Sequence, residues 1–95
     1  MPRPRKNRKI RFDPTATYFK PRGIPMTSLE EIILDLDEIE AIHLKDKQGL
    51  DQTEAAKKMN ISQSTFQRII TLAHKKISEA IIDGKAIKIK TKNPR

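Results

Sequence analysis

At 95 residues the chain has room for one domain with one modest core. It is 36% apolar and only 4% aromatic, and it has no cysteine, which excludes disulfides and thiolate metal sites. The net charge of +8 points toward an anionic partner, and the longest aliphatic run, Ile32-Ile33-Leu34, falls far short of the roughly 20 residues of a membrane span.

Residues 1–27 read as a basic arm followed by turns. Residues 1–22 carry eight Lys or Arg against Asp13 alone. The stretch PRPRKNRKIR (2–11) is too charged and too proline-rich for a core element, although Ile10 and Phe12 alternate with charges as a short strand would. No apolar stretch follows these bases, so no secretory signal is expected and the expected location is the cytoplasm. Asp13-Pro14 and Pro21-Arg22-Gly23 are turn signals around Tyr18 and Phe19, which are expected to pack onto the domain.

Residues 28–83 read as a helical domain. Thr27 or Ser28 opens a segment leading to Ile32, Ile33, Leu34 and Leu36, and the acidic stretch Glu30 to Glu40 is expected to be helical. Asp35 with Glu38, or Asp37 with Glu40, has the spacing of a capping box, which gives both glutamates an ordinary capping and surface role. Ile39, Ile42 and Leu44 supply apolar contacts, and Gly49 suits the positive-φ stop. Asp51, with Glu54 three residues on, caps a short helix ending near Met59. Asn60 tolerates the left-handed region that a tight turn requires.

Ser62 then opens a long helix. Phe66, Ile69, Ile70, Ala73, Ile77, Ala80 and Ile81 step by three and four as a continuous apolar stripe. A helix from Ser62 to about Ile82 is roughly 30 Å long, more than a small three-helix body covers. Its distal half needs either the chain's own ends or a second subunit, so a homodimer is one expectation. Residues 84–95 read as a basic strand and tail: Gly84 ends the helix, and Ala86 to Lys90 alternate, with Lys9 to Phe12 or Ile32 to Leu36 as possible pairing partners.

The segment 52–71, QTEAAKKMNISQSTFQRIIT, fills every structural slot of a helix-turn-helix. Ala55 and Ala56 are small where the helices cross, Asn60 sits in the turn, and Met59, Ile61, Phe66 and Ile69 lock the pair. Ser62 caps the second helix. Removing the apolar stripe leaves Gln63, Ser64, Gln67 and Arg68 as candidate base readers, since glutamine matches adenine and arginine matches guanine. Ser62, Thr65 and Thr71 suit phosphates beside the helix N-terminus. Lys75, with His74 and Lys76, extends the polar face, and Arg3, Arg5, Lys6, Arg8 and Lys9 suit a groove-following arm.

From Asp37 to Ala80 the chain resembles region four of the bacterial sigma-70-type factors, whose helix-turn-helix reads a promoter element. DEIEAIHL (37–44), GLDQTEAAKKMNIS (49–62) and the run from Ala73 to Ile77 carry that likeness. Over nine-tenths of its length it is similar to a small family of bacterial and archaeal proteins expected to bind DNA, uncharacterised protein family 0251. That likeness rests on RPR (3–5), YFKPRGIP (18–25), DEIEAIHLKD (37–46), STFQRI (64–69) and DGKAIKI (83–89). The resemblance implies a three-helix, sigma-region-four-like body with duplex DNA as partner and RNA polymerase or another protein as a further one; with the alternation noted above, the expected fold is mainly α with short N- and C-terminal β segments. Where arginine is expected at positions 43, 63 and 74, this chain has His43, Gln63 and His74.

No cofactor, metal or small-molecule ligand is expected, because nothing resembles a phosphate loop or metal-ligand spacing. The two histidines have no neighbouring nucleophile, so the expectation is a binder and not an enzyme. A protein-interaction module and an RNA-binding domain are the alternatives, the latter disfavoured by the scarcity of exposed aromatics for stacking.

Overall fold

Period-two burial shapes the two ends of the chain, and helical burial shapes its middle. Ile10 and residues 13–90 are described in the structure, a computed structural model. The expectations for Arg3, Arg5, Lys6, Arg8 and Lys9, and for a strand near Phe12, lie outside these residues. Tyr18–Phe19 (β1), Glu31–Leu34 (β2) and Ala86–Ile89 (β3) form one sheet in the order β1-β3-β2. β3 runs parallel to β2, with Ile32 opposite Ile87 and Leu34 opposite Ile89, and antiparallel to β1, with Tyr18 opposite Lys88. A parallel pair needs a long crossover, and three helices between β2 and β3 supply it.

The sheet corrects two expectations. Tyr18 and Phe19 are a strand and not merely packed turn residues. The acidic stretch from Glu30 to Glu40 is not one helix: Ile32 and Leu34 point inward while Glu31 and Ile33 point outward. That is the pattern of a half-buried strand, and β-branched isoleucines favour it. The helix α1 (Leu36–Ile42) begins only after Asp35, which closes a capping box with Glu38 and donates its backbone N–H to Glu38 Oε1 at 2.8 Å.

A π-helical turn at His43–Lys47 follows α1 and ends at Gly49, whose φ is +81°. In α2 (Gln52–Met59) Asp51 caps the N-terminus, accepting from the Glu54 N–H at 2.8 Å. Asn60 then turns the chain at φ 60°, ψ 45°. The Ile61 N–H reaches back to the Ala56 carbonyl at 3.1 Å, and the Asn60 N–H to that of Lys57 at 3.0 Å. This pair of hydrogen bonds satisfies carbonyls that a helix end leaves open, with Ile61 packed on the core behind it. α3 (Gln63–Asp83) is 21 residues long and stops at Gly84, φ +69°.

Two apolar clusters result. Ala41, Leu44, Ala55, Ala56, Met59, Phe66, Ile69 and Ile70 form the larger, at the crossing of the helices, and Phe66 and Met59 are completely enclosed in it. The smaller joins Leu34, Ile39 and Ile89, with Ile77 and Ile87 against it. The distal half of α3 is therefore covered by the chain's own strands. Ile81 departs from the expected stripe and is 71% exposed. At about 100° per residue it has drifted some 60° from the Phe66 line, onto a shallow hollow that it lines with Phe19 and Ile87.

Lys76 and Glu38 tie these layers together. Lys76 Nζ donates to Glu38 Oε1 at 2.9 Å and to the Ile33 carbonyl at 2.8 Å. Glu38 and Glu40 are both buried, which corrects the surface role expected for them. The bond to Ile33 also occupies the outer edge of β2, where an open strand edge would invite pairing. No helix among the described residues is long and apolar enough to cross a membrane.

Candidate nucleic-acid interface

The buried alanines of α2 let α3 cross it closely, and that crossing decides which face of α3 remains open. Phe66, Ile69, Ile70 and Ala73 face inward. Ser64, Gln67, Arg68, Thr71 and Lys75 fall on the opposite arc, and all five are exposed. Gln63 is exposed at the first turn, and Thr65 is half-buried. The structure thus gathers Gln63, Ser64, Gln67, Arg68, Thr71 and Lys75 along one open surface, about 18 Å from end to end at the helical rise.

Local hydrogen bonds organise this row. Ser62 is the N-cap: its Oγ accepts from the Thr65 N–H at 3.1 Å and donates to Thr65 Oγ1 at 2.9 Å. Ser62 and Thr65 are thus turned toward each other, the geometry of a cap more than of a phosphate clamp. Thr53, near the start of α2, donates its hydroxyl to Gln63 Oε1 at 3.4 Å. One turn further along α3, Gln67 Nε2 donates to Thr71 Oγ1 at 3.3 Å.

Arg68 borders a shallow cleft of about 300 Å³ between α3 and the start of α1, lined also by Asp35, Asp37, Glu38, Thr65 and Leu72. The acidic end of α1 thus flanks one side of the row, and any polyanion lying along α3 is confined to the other side. His74 does not extend the open row as expected. Its Nε2 lies 2.6 Å from Asp46 Oδ2, fastening α3 to the π-helical turn. Lys76 does not extend it either, being turned inward to Glu38. Both sit at the margins of the buried arc, where a neighbouring carboxylate lies within reach. Lys75 is left as the distal base of the row.

Thr53 is the residue that sequence reasoning misses. Its only sequence signal is position, one residue inside a helix that must cross the start of α3. No group of three or more His, Asp or Glu side chains among the described residues is arranged to hold a metal.

Fold and open surface together define a small, mainly helical protein in which two helices joined by a tight turn at Asn60 stand on a three-stranded sheet. Residues 1–93 match the family described as "Protein of unknown function DUF134", and the chain belongs to that family. It is 54% identical over 93 residues to a UPF0251 protein of Caldanaerobacter subterraneus subsp. tengcongensis, covering 98% of this chain and 79% of the relative. Identity is 50% over 95 residues with a UPF0251 protein of Thermoanaerobacter pseudethanolicus, covering 100% of this chain and 80% of that one. With a UPF0251 protein of Desulforudis audaxviator it is 48% over 93 residues, covering 98% and 61% respectively. No solved structure matches the chain.

Proposed function

We propose that this protein is a sequence-specific duplex-DNA reader that acts as a transcriptional regulator in the cytoplasm, a binder and not an enzyme. One observation carries the reading: the open face of α3 presents Gln63, Ser64, Gln67, Arg68, Thr71 and Lys75 in a single row with no acid among them. A helix enters a major groove about 12 Å wide, and its amides and guanidinium meet base edges there. The capped N-terminus of α3 adds the positive end of a helix dipole, which favours phosphate. The buried contacts of α2 hold α3 rigidly enough to present those groups in a fixed register.

The test is in-vitro selection of the intact chain against a randomised duplex library at near-physiological salt. An enriched motif supports the proposal, and a palindromic motif indicates that two copies read it. Retention without enrichment reduces the protein to a non-specific binder. Absence of retention overturns the reading and moves attention to RNA or protein partners.

A further inference from the structure

The far end of α3 carries apolar surface that the rest of the chain leaves open. Scattered apolar side chains on a surface need no explanation, whereas adjoining ones mark an interaction site. Phe19, Pro21, Ala80, Ile81 and Ile87 wall a hollow of about 320 Å³ between the end of α3 and β1, and Lys20 and Lys85 form its basic rim. Ile82, one residue on, is the most exposed large apolar side chain of the described residues.

We infer that this hollow receives Ile82 of a second copy of the chain, in a two-fold pair where each molecule's Ile82 enters the other's hollow. Around the helix Ile82 stands about 100° from Ile81, beside the hollow without lining it. Knob and hollow therefore lie next to each other on one molecule. A two-fold axis between them makes two identical contacts and closes the assembly at two copies. An aliphatic anchor seated in an apolar pocket inside a polar rim is the arrangement that carries most of the energy of an interface.

The charges select the same occupant. Ile82 is followed by Asp83, exposed at the end of α3, so an acid arrives with the knob at a basic rim. Lys85 is already held by Glu79 at 2.8 Å. Lys20 donates to the Pro21 carbonyl at 3.1 Å, and its ammonium has two further hydrogens for the partner's acid. The chain's own ends suit the hollow less well. Residues 1–9 and 91–95 carry bases without a single Asp or Glu, and a basic rim repels them. An interface built on one such anchor falls short of the roughly 800 Å² per partner of a standard one. Its dissociation constant is expected at about 10 µM, so that below about 1 µM each chain unfolds as a single molecule. The pairing needs no DNA and stands or falls independently of the DNA reading.

The experiment is sedimentation velocity of the intact chain without nucleic acid, from about 1 to 300 µM, a range that spans the expected constant. The mass should rise from that of one chain to that of two. Ile82→Glu brings a carboxylate to an apolar pocket and should raise the dissociation constant about tenfold or more. Lys20→Glu and Asp83→Lys each set like charges against each other and should raise it about fivefold. The double variant reverses the pair and should return to within about twofold of the wild type. Lys20, Ile82 and Asp83 are all exposed, so circular dichroism should show the same helix content in every variant. A monomer mass across the whole range overturns the inference and leaves the hollow to a different partner. A wild-type pair that Ile82→Glu leaves intact also overturns it, because the contact then lies elsewhere. A double variant as weak as the single ones overturns the two-fold arrangement, because Lys20 and Asp83 then do not face each other.

Discussion

The two halves of α3 are held by different kinds of contact. Its first three turns pack on Ala55, Ala56 and Met59, which lie just before it in the chain. Its last three turns rest on β2 and β3, whose pairing closes a loop of more than fifty residues, and on the bond from Lys76 to Ile33, 43 residues away. The open faces differ as well. The first half shows polar and basic side chains, whereas Ile81 and Ile82 stand 71% and 80% exposed at the far end, beside the half-exposed Phe19. One helix is thus held in two ways. Dense local packing fixes the end with the polar open face, and a thin sheet steadies the end with the apolar one.

The sharpest way to break that contrast is to truncate one residue in each half. Phe66 is completely enclosed, so Phe66→Ala should destabilise the fold by about 3–5 kcal/mol through reduced apolar burial and the cavity left behind. Ile81→Ala, at a site open to solvent, should stay within about 0.5 kcal/mol of the wild type. Urea denaturation of both variants measures the difference. Equal effects would mean that the exposed end is covered in solution.

Lys76 tests the join between the halves. Its ammonium is the cation beside Glu38, whose side chain is 3% exposed, and it also holds the Ile33 carbonyl. Lys76→Met keeps the apolar stem but leaves a buried carboxylate without its counter-charge, and should cost roughly 2–4 kcal/mol. Adding Glu38→Gln should recover part of that loss, because the remaining neutral amide can still serve the Asp35 cap. A double variant no more stable than Lys76→Met alone would show that the charge was not the reason.

The same division explains what was legible in the sequence. Ala55, Ala56, Asn60, Ser62 and Phe66 announce the pair of helices and the turn between them because each acts on neighbours a few residues away, where spacing alone fixes geometry. Gly49 and Gly84 mark helix ends for the same reason. The sheet was half legible. Alternation at Ala86–Ile89 is plain, but Ile32-Ile33-Leu34 beside an acidic stretch reads as a helix as easily as a strand, and Tyr18–Phe19 is too short for any period. The candidate site was legible as a set of side chains and not as a network. Exposure of Gln63, Gln67 and Arg68 follows from subtracting the stripe, whereas the inward turn of Lys76, the pairing of His74 with Asp46 and the bond from Thr53 depend on how whole elements are placed.

Arg68 probes the first half where stability is not at stake. Arg68→Ala should leave the melting curve unchanged, since the side chain is exposed. On the selected DNA site it should cost roughly 1–3 kcal/mol and flatten the preference at one base pair. Replacing Arg3, Arg5, Lys6 and Arg8 by alanine should instead weaken binding to all sequences alike, lowering the salt slope by about one for each phosphate no longer neutralised. Filter binding at three or four salt concentrations separates the two patterns. A uniform loss for Arg68→Ala would reassign it to the backbone.

The smallest expected effect belongs to the sheet. Tyr18 donates its hydroxyl to Glu31 Oε2 at 2.7 Å. That hydrogen bond, with a lesser contribution from burial and from the carboxylate's charge, raises the phenol above its ordinary 10.0. The folded state therefore binds this proton more tightly than the unfolded one. Its contribution to stability is complete below pH 10 and is lost as pH rises through the folded-state value. Tyr18 is the chain's sole tyrosine and there is no tryptophan, so phenolate absorbance in the near ultraviolet reports this one group. The midpoint should lie above 10.0 in the native protein and fall back toward it in Glu31→Ala, which removes both the acceptor and the charge. An unshifted native midpoint would show that β1 is not pinned to β2 across β3, and would leave β2 and β3 as the strands that steady the second half of α3.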